Sequence, residues 1–277
     1  VEAQFERAVN YEYDLRIGKA RWAGINGVHL VDVTVIRNEE STPESPVLPT
    51  QLERVTARVS LLSLLRGSPG GSVDVRSGDG RVWVGVTQNA ETGVEVDARA
   101  ADFPLERLMI VRERLGMAVI GRLSGDALLQ YDTDGVLTDG SVSFSLPSLA
   151  LGAGIPNIPA LERAGAFVRL PATDLGEVTL TAAIEDSRVT LSDVRAAGSD
   201  LTLQLNGTID LRSPFRASRV AVDLLFALES EYVEEADLGP ILGRSTLLQR
   251  ALTPQGYALS VNGLAGNLTP VPAPGRF

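Results

Sequence analysis

The sequence predicts a mainly β protein, a curved antiparallel β-meander with a few short helices. Three observations carry that reading. Apolar residues recur at every second position in many short runs, most clearly at Leu201, Leu203, Leu205, Ile209 and Leu211, and that period gives a strand one dry and one wet face. The runs are separated by short Gly-, Asp- and Ser-containing turns, so strands adjacent in sequence are expected to pair. Gly207 interrupts the strongest run without a side chain, which marks a bulge or a bend in a curved sheet.

Taken in order, residues 1–11 place Val1, Phe5, Ala8 and Val9 near one helical face and predict a short amphipathic helix. Tyr13, Leu15 and Ile17 alternate with polar residues, as do Val28, Leu30, Val31, Val33 and Val35 after Gly27, and the two runs predict a first hairpin. The stretch 38–50, with Pro43, Pro46 and Pro49, reads as an exposed loop. Residues 57–65 read as a strand followed by one helical turn. Val73 and Val75, then Val82, Val84 and Val86, then Val94, Val96 and Ala98, give three strands around the turn at 77–80 and the one at 91–93. At 103–115 the period changes: Leu105, Leu108, Met109, Arg112 and Leu115 are spaced for a helix that opens at Pro104 and ends at Gly116.

A further hairpin is expected from 118–129 and 140–146 around the Asp132-Thr-Asp-Gly135 turn. The Gly/Pro-rich stretch 152–165, with a helical turn at 158–163, marks the best boundary in a chain read as a single elongated domain of two similar halves, 1–150 and 165–277. Val178, Leu180, Ala182 and Ile184 precede a turn at 185–187; Val189, Leu191 and the off-register Val194 predict a bulged strand. Val220, Val222, Leu224 and Phe226 follow the Leu201 run. The stretch 229–250 reads as partly helical, and 257–263 as the last strand before a Pro-rich tail.

Composition removes several functions. The net charge of −10 argues against binding nucleic acid or an anionic membrane through a broad basic face. The absence of cysteine excludes disulfides, thiolate metal sites and cysteine nucleophiles, and the one histidine, His29, cannot build a triad or a multi-histidine metal site. The acidic group Glu229, Glu231, Glu234, Glu235 and Asp237 lacks the spacing of a calcium loop and reads as a solvated face. Asp79, Asp132 and Asp134 fit turn chemistry. No phosphate loop is present, since Lys19 is the single lysine. The expectation is therefore a non-enzymatic protein with no cofactor and no metal.

One-faced strands with few aromatics suit either a closed sandwich core or a long sheet with a hydrophobic groove able to hold acyl chains. The candidate groove residues are Leu201, Leu203, Leu205, Val220, Val222 and Leu224. The start at Val1 rather than Met suggests an upstream segment, with a signal or membrane anchor the simplest candidate.

Several stretches together resemble a known family: Tyr-Asp-Leu-Arg-Ile-Gly-Lys-Ala-Arg-Trp at 13–22, Gly-Val-His-Leu-Val-Asp-Val at 27–33, Phe-Pro-Leu-Glu-Arg-Leu at 103–108, Ile-Gly-Arg-Leu-Ser-Gly-Asp-Ala at 120–127, Pro-Ala-Thr-Asp-Leu-Gly-Glu-Val-Thr-Leu at 171–180, 198–214, and Gly-Tyr-Ala-Leu-Ser-Val-Asn-Gly at 256–263. They are similar to the N component of bacterial type II secretion systems, in its deltaproteobacterial form, and to the wider AsmA-like envelope family. The resemblance implies a periplasmic β domain anchored to the inner membrane by an N-terminal helix missing here, and an accessory or structural role in protein secretion with other secretion components as partners. Its AsmA-like relatives imply lipid handling, with phospholipid as a partner. No catalytic residue is carried over. The Glu-Asp-Ser turn at 185–187 departs from the Asp-Gly type expected of the family.

Overall fold

The computed structural model describes residues 13–37, 50–61, 67–89, 91, 93–108, 111–112, 115–156 and 169–275. The helix expected at 1–11, the loop at 38–49 and the helical turn at 158–163 lie outside them. Sixteen strands among the described residues form one curved antiparallel sheet, as the alternation predicts. The first nine are β1 (Tyr13–Trp22), β2 (Gly27–Arg37), β3 (Thr50–Val59), β4 (Gly70–Ser77), β5 (Gly80–Asn89), β6 (Gly93–Pro104), β7 (Val119–Ile120), β8 (Arg122–Tyr131) and β9 (Leu137–Leu151). The rest are β10 (Thr173–Glu185), β11 (Arg188–Ala197), β12 (Leu201–Asp210), β13 (Arg219–Leu228), β14 (Leu252–Thr253), β15 (Gly256–Leu264) and β16 (Asn267–Pro272).

Strand order follows the sequence from β1 to β13 and then β15, with the two-residue β7 pairing β9, and with β14 and β16 both on β15. Pairing β9 to β10 carries the sheet without a break across the stretch 152–165. The path of strands does not close. Among the described residues no second sheet packs on it, so the sandwich alternative falls. The chain exposes 16853 Å², whereas a compact monomer of its 29.4 kDa would expose about 11,500 Å². A single layer is the reason.

Turn chemistry sets the hairpins. The β4–β5 turn places Gly78 at φ 58, and in the β8–β9 turn Asp132 Oδ1 accepts from the amides of Asp134 at 2.9 Å and Val136 at 2.8 Å. The β10–β11 turn holds Asp186 and Ser187 at φ 50 and 62, the geometry of a two-residue type I′ hairpin made without glycine. Bulges then keep the faces in phase. Leu191 and Val194 face one side because Ser192 and Asp193 bulge between them, as the sequence predicts. Gly207 differs from the expectation of a bulge in its own strand: the β12–β13 register runs through it without a shift. Its role is a close approach, since a Cβ there would lie 2.3 Å from the Ala221 carbonyl oxygen, and its φ is 143.

Two further expectations are corrected. Residues 103 and 104 are not the start of a helix but the end of β6; a 3-10 turn (Leu105–Arg107) follows, and helical residues reappear at Val111, Arg112 and Leu115 before Gly116 at φ 72. A bulge at Ala101–Asp102 drives Phe103 to 1 % exposure opposite Leu123, which holds it in the strand. Residues 257–263 are not the last strand either. The start of the Pro-rich tail, through Pro272, pairs with it as the end of β16, an edge position where proline's missing N–H costs no ladder bond.

Three short helices, α1 (Ser230–Glu235), α2 (Gly239–Arg244) and α3 (Thr246–Ala251), fill the 229–250 stretch as expected. The buried Tyr232 of α1 places its hydroxyl 2.7 Å from Thr173 Oγ1 at the start of β10, and α3 packs on β15 and β16. Among the described residues, no helix is long and apolar enough to cross a membrane.

Candidate functional site: an uncovered apolar face

Register across the sheet shows what alternation within one strand cannot. Starting from Ala20, successive cross-strand partners are Leu30, Val55, Val75, Val82, Ala100 and Gly125. The row continues through Phe144, Leu180, Val194, Leu205, Leu224, Leu259 and Pro272. No polar side chain interrupts it. A parallel row starts at Trp22 and passes through Val28, Ala57, Val73, Val84, Ala98 and Ala127. It ends through Val142, Ala182, Leu191, Gly207, Val222, Val261 and Pro270, again without a polar side chain. At about 4.8 Å per strand, each row spans roughly 60 Å of sheet.

The opposite face is polar. Its corresponding row reads Arg21, His29, Thr56, Asp74, Trp83, Arg99, Asp126, Ser143 and Thr181. His29 Nδ1 sits 2.8 Å from Thr56 Oγ1 on this face, and Arg99 lies over the Trp83 ring at 5.5 Å. Arg76 and Arg81 share Asp74 as ion-pair partner. From β1 to β10 these rows give the two faces opposite chemistry, whereas Leu225 and Ala258 make the second face apolar at β13 and β15.

All six candidate residues lie on the apolar face. Leu205 pairs with Leu224, Val222 with Gly207 and Val220 with Ile209, while Leu201 and Leu203 face Leu228 and Phe226. Val222 is buried and the other five are half-buried. The Phe226 ring stacks on Tyr257 at 5.2 Å between centroids.

A part of the face that the candidate residues did not include is its N-terminal mouth. There a groove of about 580 Å³ is lined by Trp22, Ile25, Val28, Val59, Leu61, Val73, Val84 and Val86 with the edges of Asn26, Arg58 and Ser72. Val59 is 50 % exposed and Val73 and Val86 are each 40 % exposed, unusual for valines in the interior of a sheet. The opposite end of the same strands is sealed: Leu15, Leu30 and Val33 form a buried cluster with Ile17, Val35, Leu52 and Val55 packed on it, and the Leu105–Arg107 turn contacts β3. The alternation of Val73, Val84 and Val86 was a signal for this mouth, but their exposure is set by what fails to cover them.

Elsewhere the chemistry is structural. Glu229, Glu231, Glu234, Glu235 and Asp237 are all exposed, and among the described residues no three His, Asp or Glu side chains gather where they could hold a metal ion. Asp174 caps the β11–β12 turn from across the sheet. Its Oδ1 accepts from the Gly176 amide at 2.9 Å and its Oδ2 from Ser199 Oγ at 2.9 Å. The Gly176 amide, followed by the Ser199 contacts, holds its carboxyl below the ordinary range. At the far end of that hairpin pair, the hydrogen bond from Arg188 at 2.6 Å lowers the Asp210 carboxyl. Comparison with family models, curated proteins and solved structures finds no match to this chain.

Proposed function

We propose that this chain is a non-enzymatic protein that binds acyl chains along one face of an open sheet. The observation that carries the reading is the pair of apolar rows that run unbroken from β1 to the last strands. The apolar area left open to water at the mouth of these rows, where Val59, Val73 and Val86 are exposed, is costly at about 25 cal/mol per Å², and uncovered patches mark surfaces that meet a hydrophobic partner. A row of valines and leucines without donors or acceptors suits the hydrocarbon part of a phospholipid and offers nothing to orient a polar substrate. The experiment is photo-crosslinking in cells from a probe at Leu203, with mass analysis of the adducts. A phospholipid adduct supports the reading; attachment only to this chain itself refutes it.

The stretches that resemble the N component of type II secretion systems favour a second reading compatible with the first. In it the chain is an accessory or structural component of the secretion machine in the periplasm, held at the inner membrane by a preceding helix and contacting other secretion components. Normal export of folded exoproteins after clean deletion of the gene would overturn it.

A further inference from the structure

We propose that the tip of the β1–β2 hairpin is the point at which the apolar face meets a bilayer of anionic phospholipid. The inference rests on the acyl-chain reading for what passes across the tip, but its own grounds are local. Trp22 is 81 % exposed and Ile25 is 90 % exposed, the two most exposed large apolar side chains among the described residues. They stand on one tight turn, and Trp22 is the first member of an apolar row, so the tip is continuous with the groove mouth. An indole with one apolar body and one N–H donor is suited to the headgroup boundary, and a branched aliphatic beside it to the acyl region just below.

The turn is held ready. Asn26 Nδ2 donates to the Val59 carbonyl at 2.9 Å, the Val59 amide returns a bond to Asn26 O at 2.8 Å, and Ala23 N donates to Gly27 O at 2.8 Å. The hairpin tip and the end of β3 thus form one unit.

Charge identifies the partner. Two arginines stand at the tip, in a chain whose net charge is −10. Arg58 lies opposite Gly27 at the level of the tip and Arg21 one residue below it; both are exposed, and neither has an ion-pair partner among the described residues. This is a small basic collar, not the broad face that the net charge argues against. A collar of this kind around two apolar anchors complements an anionic headgroup layer, while that layer repels the acidic remainder of the molecule.

The test uses the whole chain with Trp83→Phe, which leaves Trp22 as its only tryptophan, and vesicles of phosphatidylglycerol mixed with phosphatidylethanolamine or of phosphatidylcholine alone. On the anionic vesicles, Trp22 emission shifts to the blue and is quenched by brominated acyl chains, and the protein floats with the vesicles. Arg21→Gln with Arg58→Gln weakens flotation roughly thirtyfold, from about fivefold per basic residue near an anionic surface. Ile25→Ser and Trp22→Ser, at sites too exposed to matter for folding, each reduce it further. An emission that stays that of a water-exposed indole, or equal binding to phosphatidylcholine vesicles, overturns the proposal. Lipid bound in the groove with an unshifted Trp22 sinks the tip and leaves the acyl-chain reading standing. A shifted and quenched Trp22 without any groove lipid supports the tip while sinking that reading.

Discussion

Replacing Val59, Val73 and Val86 together by threonine tests the apolar face with little disturbance of the sheet. Threonine keeps the β-branched shape and the strand preference of valine, and exchanges one methyl group for a hydroxyl. The three side chains line one groove and are 50 %, 40 % and 40 % exposed, so much of each contacts only whatever occupies the mouth. Each lost methyl removes about 0.8 kcal/mol of contact with a bound chain. The triple variant therefore loses about 2–3 kcal/mol of binding free energy, roughly 50-fold in affinity, and more where a hydroxyl is covered without a partner. The assay is displacement of a fluorescent fatty-acid probe, read beside far-UV circular dichroism and thermal melting. A variant that melts like the parent and binds the probe with the same affinity would refute the reasoning, because the exposed valines would then play no part in holding acyl chains.

Gly207→Ala places a Cβ against the Ala221 carbonyl at 2.3 Å in a backbone with φ 143, at a cost of about 2–4 kcal/mol; differential scanning calorimetry should show a melting temperature lower by roughly 5–15 °C. Ser187→Gly relieves a left-handed residue at φ 62 and is expected to gain about 1 kcal/mol, read as a rise of roughly 2–4 °C. Tyr232→Phe removes the 2.7 Å bond to Thr173, which still donates to the Pro171 carbonyl; urea denaturation should report a loss of about 1 kcal/mol. Asp174→Asn weakens the contacts to Gly176 and Ser199 by about 1–2 kcal/mol at neutral pH. Because the folded carboxyl titrates below its ordinary value of 3.8, the unfolded chain takes up the proton first as pH falls. The stabilisation is intact above that value and is lost as pH drops through the folded one, so melting curves of parent and variant should converge only in strong acid.

The strands from β10 to β13 were legible in sequence because Val178 to Ile184, Leu201 to Ile209 and Val220 to Phe226 keep strict period two, and the bulge before Val194 shows as a slip in the period of Val189 and Leu191. Bulges elsewhere were not legible. One stands at Asp102, a non-glycine residue at φ 47, which interrupts no apolar pattern strongly enough to be noticed. Pro270 and Pro272 concealed β16, since proline reads as a breaker until its strand is known to lie on an edge. The six candidate groove residues share a face because alternation alone puts them there. What alternation cannot encode is whether anything packs on that face, so Trp22, Ile25 and the half-exposed valines of the mouth had to be found from the register of five strands at once.

From β1 to β13 each strand bonds the strand beside it in sequence, with only the two-residue β7 off the path. Such a sheet is close to one-dimensional in its energetics: each hairpin is stabilised by its own turn and its two neighbours, and scarcely by anything farther away. Contacts are local, so hairpins can order in sequence as the chain emerges, without waiting for its far end. Length becomes a free variable in the same way. Excising β4 and β5 would let β3 meet β6 in the antiparallel sense and shorten the apolar track by about 10 Å, at the expense of the mouth that Val73, Val84 and Val86 line, and duplicating a hairpin would extend it by as much.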